Sequence, residues 1–242
     1  MWPDNSETVS RSFDASAVDL TPASVDGEVH VLYSPVVRNA DFLDRCAAVL
    51  SDGEIERGDS FVVDTERDLF IQRRAFRRYC ATKAVGPSPL SQFSFSETQK
   101  GRPYLPDQLD LSFSFASFRG GYIAAWSRTR RVGIDVEDPA RDEAISDLAH
   151  EYYSTAEMRA VDHASGPARP RLFFQLWTLK EAALKSIGEG LPLGLDAFQF
   201  ETEPALKIVQ TPREYRYSHQ FQAHIIDGTS GCAALVTRQR IV

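Results

Sequence analysis

Polar and apolar positions change period several times along the chain, and each change predicts an element. From Glu28 to Val37 the alternation is that of a first strand. Asp41 to Leu50 reads as a helix with Asp41 and Asp44 in its opening turns, where acids favour the dipole. Asp64 to Val85 is the clearest helix of the N-terminal half, stopped by Gly86-Pro87-Ser88-Pro89. Phe93 to Phe95 reads as a short strand and Gly101-Arg102-Pro103 as a turn. Leu111 to Phe118 and Tyr122 to Ser127 are strands around Gly120-Gly121, a hairpin signal. Arg131 to Glu137 is a strand ended by Asp138-Pro139. Helices follow at Asp142 to Tyr153 and at Ser154 to His163, the second with Glu157 three residues after its capping serine. Ala164 to Pro170 is a loop, and Arg171 to Ile187 a long helix closed by Gly188. Phe198 to Glu201, Glu214 to Ile226 and Cys232 to Val236 complete the strands. Each half thus holds strands and one long helix, an α+β pattern.

Two of these elements carry candidate chemistry. In the strand Gly133-Ile134-Asp135-Val136-Glu137, side chains alternate, so Asp135 and Glu137 share one face and Ile134 and Val136 the other. Carboxylates about 7 Å apart along one strand face can share a hard cation such as Mg²⁺. In the long helix, Phe173, Leu176, Trp177, Leu184 and Ile187 form one apolar stripe. Lys180 falls within that stripe, where a lysine needs to snorkel or find a partner. Glu181 and Lys185 are i,i+4 neighbours at its edge. Helix and strand together would set three carboxylates between two lysines, a set suited to a Mg²⁺-bridged polyphosphate with a proton acceptor beside it. Taken singly, each feature has a plainer reading: acids facing water, a surface ion pair, and Trp177 as core packing.

The chain has 242 residues, 43% of them hydrophobic and 25% charged, the balance of a globular protein with a real core. No apolar run is long enough to span a membrane. Residues 1–27 are acidic and polar without a signal-peptide core, and read as a poorly ordered leader. Three widely spaced cysteines, Cys46, Cys80 and Cys232, fit a reducing cytoplasm and small buried apolar positions. The net charge of -7 argues against general nucleic-acid binding. Its distribution is uneven. Residues 67–102 hold eight basic side chains against two acids, a net of +6, and the remainder carries −13. A basic region on an acidic protein can draw an anionic ligand locally.

Gly133 to Glu137, followed some forty residues on by Trp177-Thr178-Leu179-Lys180-Glu181-Ala182-Ala183-Leu184-Lys185 and Gly188-Glu189-Gly190-Leu191, resembles the Sfp-type 4′-phosphopantetheinyl transferases, in the subgroup written with alanine after Lys-Glu. Weaker matches extend the resemblance over most of the chain after residue ~30: Arg67 to Arg78, Gly101 to Tyr104, and Asp110 to Ser114. The resemblance implies two similar α/β subdomains with pseudo-twofold symmetry and the active site between them. Residues 28–119 would form the first and 120–242 the second, with the seam near Phe118 to Gly121. It implies transfer of 4′-phosphopantetheine from coenzyme A to a serine of an apo acyl or peptidyl carrier protein, releasing 3′,5′-ADP. Mg²⁺, with Mn²⁺ as a substitute, would sit on Asp135, Glu137 and Glu181. Glu181 would also be the general base, and Lys180 and Lys185 would hold phosphates. Arg67, Arg74, Lys100, Arg102, Pro103, Ser112 and Phe113 match positions that hold coenzyme A. The family type further implies a monomer, with neither nucleic acid nor membrane as partner.

One position departs from the pattern. The family places a histidine against coenzyme A phosphate where this chain has Phe113, which cannot donate a hydrogen bond. Another cation substitutes, or coenzyme A is held more weakly, or the register differs. Two other functions stand beside transfer. A homologue that binds coenzyme A or carrier protein without turnover is favoured by Phe113 alone. A Mg²⁺-dependent phosphodiesterase would use water in place of serine.

Overall fold

A computed structural model describes residues 6–23, 28–140, 145–188, 193–215 and 218–240. The N-terminal half runs α1 (Ser6–Ser16), β1 (Val18–Asp19), β2 (Val29–Pro35), α2 (Ala40–Ala47), α3 (Asp52–Asp59) and α4 (Asp64–Val85). It continues through β3 (Ser96–Glu97), β4 (Pro103–Tyr104), β5 (Ser112–Phe118) and β6 (Gly121–Ser127). The C-terminal half runs β7 (Arg130–Glu137), α5 (Ile145–Tyr152), α6 (Thr155–His163), α7 (Ala168–Ile187), β8 (Gln199–Glu201), β9 (Lys207–Gln210), β10 (Phe221–Ile226) and β11 (Cys232–Gln239). The architecture is α+β.

Both halves follow one plan. The first sheet has the order β1-β2-β6-β5, and the second β10-β11-β7. In each, a strand leads into helices, a hairpin returns, and the last hairpin strand pairs antiparallel with the first strand. The two halves share that order of elements. The sheets pack face to face over Val31, Ile123, Ala125, Ile134, Val136 and Leu235. The opposite face of the first sheet meets α4 through Tyr122, Ala124 and Trp126. The opposite face of the second meets α7 through Ala234 and Val236. β6 is covered on both faces, which is why its residues read as an almost unbroken apolar run.

β7 is an edge strand, and its free N–H groups need acceptors. Hydroxyls from β5 in the other half supply them. Val132 N donates to Ser112 Oγ at 3.1 Å, and Ile134 N to Ser114 Oγ at 3.0 Å. The two halves are therefore stitched along the edges that flank the cleft.

Three expectations change. The proposed leader is not uniformly unstructured: residues 6–16 are helical, and Val9 and Phe13 are buried in the first core because they lie four apart on one helix face. The seam is not at Gly120-Gly121. Those glycines turn a hairpin within the first sheet, so sheet membership changes after Ser127. The strand placed at Phe93 to Phe95 is instead at Ser96–Glu97. α3, capped by Ser51 and Glu54, and β9 were not anticipated. Among the described residues no helix is long and apolar enough to cross a membrane.

Candidate active site

Gly133 decides how the catalytic motifs meet. On β7, Gly133, Asp135 and Glu137 face α7, and the helix lies directly on the glycine. A Cβ built there would stand 1.9 Å from Ala182 O and 2.4 Å from Ser186 N. This contact carries Glu181 and Lys185, one helical turn apart, over Asp135. Lys185 Nζ donates to Asp135 Oδ1 at 2.6 Å and to Ile134 O at 3.3 Å. Asp135 is buried, and its second oxygen, Oδ2, has no hydrogen-bond partner among the described residues. Burial pushes the Glu181 carboxyl above its ordinary range. Lys185 opposes that shift, and the charges on Asp135 and Glu137 add to it. The three carboxylates thus act on one another electrostatically, with Lys185 between them.

Glu181 and Lys185 line a pocket of about 290 Å³ together with Arg77, Lys100, Arg102, Pro103, Phe113 and Gly188. Arg102 is held rigidly there. Its guanidinium donates to Ser112 Oγ at 2.5 Å, Val132 O at 3.3 Å, Lys185 O at 3.4 Å and Ser186 O at 3.5 Å. The last two are carbonyls at the end of α7, where Gly188 N also donates to Lys185 O at 3.2 Å. Gly188 closes that end with φ of 76°, the left-handed conformation glycine favours. Arg77 lies with its guanidinium 5.1 Å over the Phe115 ring and Nη1 3.8 Å from Glu97 Oε1. Its Nε and Nη1 are buried without a hydrogen-bond acceptor among the described residues. Burial, and then the charges on Arg74 and Arg73, lower it to about 10. A larger cavity of about 660 Å³ opens at Glu137, lined by Phe61, Phe70, Arg73, Phe118 and Tyr122. Both linings are charged: the larger cavity also includes Glu66, Arg119 and Asp138, and the smaller pocket holds more cations than acids. The carboxylate and lysine cluster adjoins both.

The model of the 4′-phosphopantetheinyl transferase superfamily matches residues 131–236, a stretch that contains all of β7 but its first residue, the whole of α7 and the three carboxylates. A 4′-phosphopantetheinyl transferase of Bacillus subtilis is 31% identical over 155 residues, covering 64% of this chain and 67% of that protein. This chain belongs to that superfamily. The 4′-phosphopantetheinyl transferase HetI of a Nostoc species is 28% identical over 167 residues, 68% of this chain and 70% of its own length. The 4′-phosphopantetheinyl transferase Sfp of Bacillus subtilis strain 168 is 30% identical over 132 residues, 54% of each chain.

Against the family pattern, the structure gathers Asp135, Glu137, Glu181 and Lys185, and brings Lys100, Arg102, Pro103 and Phe113 to the adjoining pocket. Ser112 lies behind Arg102, buried, as a hydrogen-bond acceptor. Lys180 requires correction. Its ammonium points into the second core, where it pairs with Glu157 Oε2 at 2.9 Å and donates to Leu195 O and Phe198 O. With no exposed surface it cannot hold a substrate phosphate. Arg67 and Arg74 also lie outside the pocket. Arg67 pairs with Asp59 at 3.1 Å, and Arg74 lies 3.8 Å from Glu54 and over the Phe70 ring. Phe113 is core, edge-on to Phe95 and stacked on Phe115. Arg77 was not singled out from the sequence. Its spacing of four from Arg73, on the helix face turned toward β5, is the signal that marks it. Residues 189–192 of the glycine loop lie outside the described residues.

The donor set bears on the metal. Asp135, Glu137 and Glu181 offer only oxygen, the chemistry of a hard divalent cation. The partnerless, buried Asp135 Oδ2 is an acceptor that a cation would satisfy. Among the described residues no three such side chains close into a metal-holding group, and Lys185 Nζ stands against Asp135. The residues fit Mg²⁺ by chemistry.

Proposed function

We propose that this chain transfers the 4′-phosphopantetheine of coenzyme A to a serine hydroxyl of an apo acyl or peptidyl carrier protein. The serine oxygen forms a bond to the phosphorus bearing the pantetheine. The bond from that phosphorus to the bridging diphosphate oxygen breaks, and 3′,5′-ADP leaves. The observation that carries this reading is the half-buried Glu181 carboxyl, placed one helical turn from Lys185 of the Asp135–Lys185 pair, at a pocket with four cationic side chains.

The residues divide the work. Arg77, Lys100 and Arg102 attract the phosphates of the coenzyme's nucleotide end. Lys185 neutralises negative charge on the diphosphate as its bond breaks. Glu181 accepts the proton of the serine, which is a poor nucleophile while protonated. The larger cavity on the Glu137 side, with both aromatic and charged walls, has room for the pantetheine arm and its amides. Asp135, Glu137 and Glu181 would hold Mg²⁺, or Mn²⁺ in its place, which supplies Lewis-acid polarisation of the diphosphate. Three cysteines without disulfides support a reducing, cytoplasmic setting.

The test is incubation with coenzyme A, Mg²⁺ and a panel of apo carrier proteins, read by intact mass. A carrier gaining one phosphopantetheine group, with the gain lost in Asp135→Asn and Glu181→Gln, supports transfer. Free phosphopantetheine with an unmodified carrier would make the protein a phosphodiesterase. Coenzyme binding without either product would make it a binding protein.

A further inference from the structure

The register of the second sheet sets two arginines directly opposite each other. Arg131 on β7 faces Arg238 on β11, at the end of the sheet away from Asp138. Like charges opposite one another across a ladder are destabilising. Both side chains lie on the α7 face, beyond the last turn of that helix, and Arg240 follows two residues after Arg238. Arg102 caps the same helix end. Burial, and then the charges on Arg131, Arg240 and Arg238, lower the Arg102 guanidinium to about 10. The four cations are therefore close enough to repel one another.

Among the described residues, little neutralises them. Arg238 rests 4.8 Å over the Tyr215 ring. The acid nearest Arg240 in influence is Asp110, which already pairs with Arg128. Among the described residues, Arg238 Nε and Arg240 Nε and Nη2 are buried with no hydrogen-bond partner. Capping the α7 carbonyls explains Arg102. It does not explain the other three, none of which donates to those carbonyls. Buried N–H groups of Arg238 and Arg240 that lack acceptors among the described residues, with two more arginines beside them, suit a phosphate, which offers several oxygens and two charges.

We propose that Arg131, Arg238 and Arg240, with Arg102 at their edge, form a binding site for a phosphate group, set apart from the carboxylates of the cleft.

The experiment is a calorimetric titration of inorganic phosphate into the whole protein, at constant ionic strength maintained with chloride. Saturable binding is expected, weakened about tenfold or more by Arg238→Gln and further by adding Arg131→Gln. These variants leave the pocket cations intact, so they separate this site from the cleft. Without phosphate they should melt no lower than the parent, because a like-charge pair is relieved. If Arg238→Gln fails to fold, Arg238→Lys keeps the charge without the planar fork and should bind with intermediate affinity. Absence of saturable binding, or equal affinity in parent and variants, overturns the proposal. Repeating the titration with coenzyme A at saturation identifies the source. Undiminished binding marks a site for free phosphate, and displacement marks a phosphate carried by the coenzyme. That last arm rests on the proposed activity. The phosphate titration does not, so either can fail without the other.

Discussion

Gly133 and Ala182 touch backbone to backbone, with no room for even a methyl group between strand and helix. The obstructing atoms are main-chain atoms of α7, which cannot rotate away as a side-chain end could. This one close approach sets the separation of Asp135 from Glu181 and Lys185. Replacing Gly133 with alanine must push α7 off the sheet. Overpacking of this kind lowers stability by ~1–3 kcal/mol or more. It should also lengthen the 2.6 Å contact between Lys185 and Asp135. Denaturant melts and the transfer assay should both show loss, with activity falling further than the folded fraction. Full activity in a destabilised Gly133→Ala protein would show that the spacing of these motifs is not set here.

Lys180 behaves differently from Lys185, though both belong to one motif. Its partner Glu157 also accepts from Ser154 N and Phe200 N, so the pair ties α6, α7 and β8 together. Removing the lysine leaves a buried carboxylate uncompensated, which typically lowers stability by ~3–5 kcal/mol. Lys180→Met should therefore melt markedly lower while each folded molecule keeps its kcat at low temperature. Lys185→Met should show the reverse. A Lys180 variant of normal stability and no activity would return this lysine to the chemistry.

The contrast marks what was legible in the sequence. The helix at Asp64–Val85 and the alternation that buries Ile134 and Val136 were readable because each is a local period. That Lys180 needed a partner was also readable from its apolar stripe. Which partner was not, since Glu157 lies 23 positions earlier in sequence and meets it only through tertiary packing. The hairpin at Gly120-Gly121 was visible, yet its place within one sheet depends on β2, some ninety residues away. α1 escaped because Val9 and Phe13 alone make too short an apolar stripe.

Phe113 fills the position where the family pattern has histidine, and the surrounding rings show how it has been absorbed. It packs on Phe95 and Phe115 with about 1% of its surface exposed. A histidine there would bury polar nitrogens without partners, lowering stability by ~1–3 kcal/mol. Phe113→His should melt lower and gain no affinity for coenzyme A. A lower KM would mean that a side chain at this position of the pocket wall reaches the coenzyme.

Acid stability should depend on Glu54. Burial alone would raise this carboxyl. Bonds from Arg78 and from Ser51 N, with the charges on Arg78 and Arg74, reverse the shift and hold it below its ordinary 4.5. The unfolded state then binds the proton more readily. The contribution to stability is fully present above 4.5 and is lost as pH falls through the lower, folded value. Glu54→Gln should flatten the acid limb of a stability-against-pH curve in that window and lower stability at neutral pH. An acid limb unchanged in this variant would place the proton uptake elsewhere.

The basic excess of residues 67–102 is divided by the fold into used and unused charge. Arg67 is turned to Asp59 on the surface, and Arg78 is buried against Glu54. Arg77 remains in the pocket, with two buried N–H groups that lack hydrogen-bond acceptors among the described residues, braced by Phe115. A phosphate of the substrate would satisfy them. Arg77→Gln should therefore raise KM for coenzyme A about tenfold or more, the weight of a charge-assisted hydrogen bond, with a much smaller change in kcat. Arg67→Gln should change neither. KM should rise with added salt in the parent, since accessible charges are screened over ~8–10 Å, and less steeply in the Arg77 variant. Equal effects of the two substitutions would mean that charge attracts coenzyme A through the general field of this half of the protein, without the specific contact that Arg77 is positioned to make.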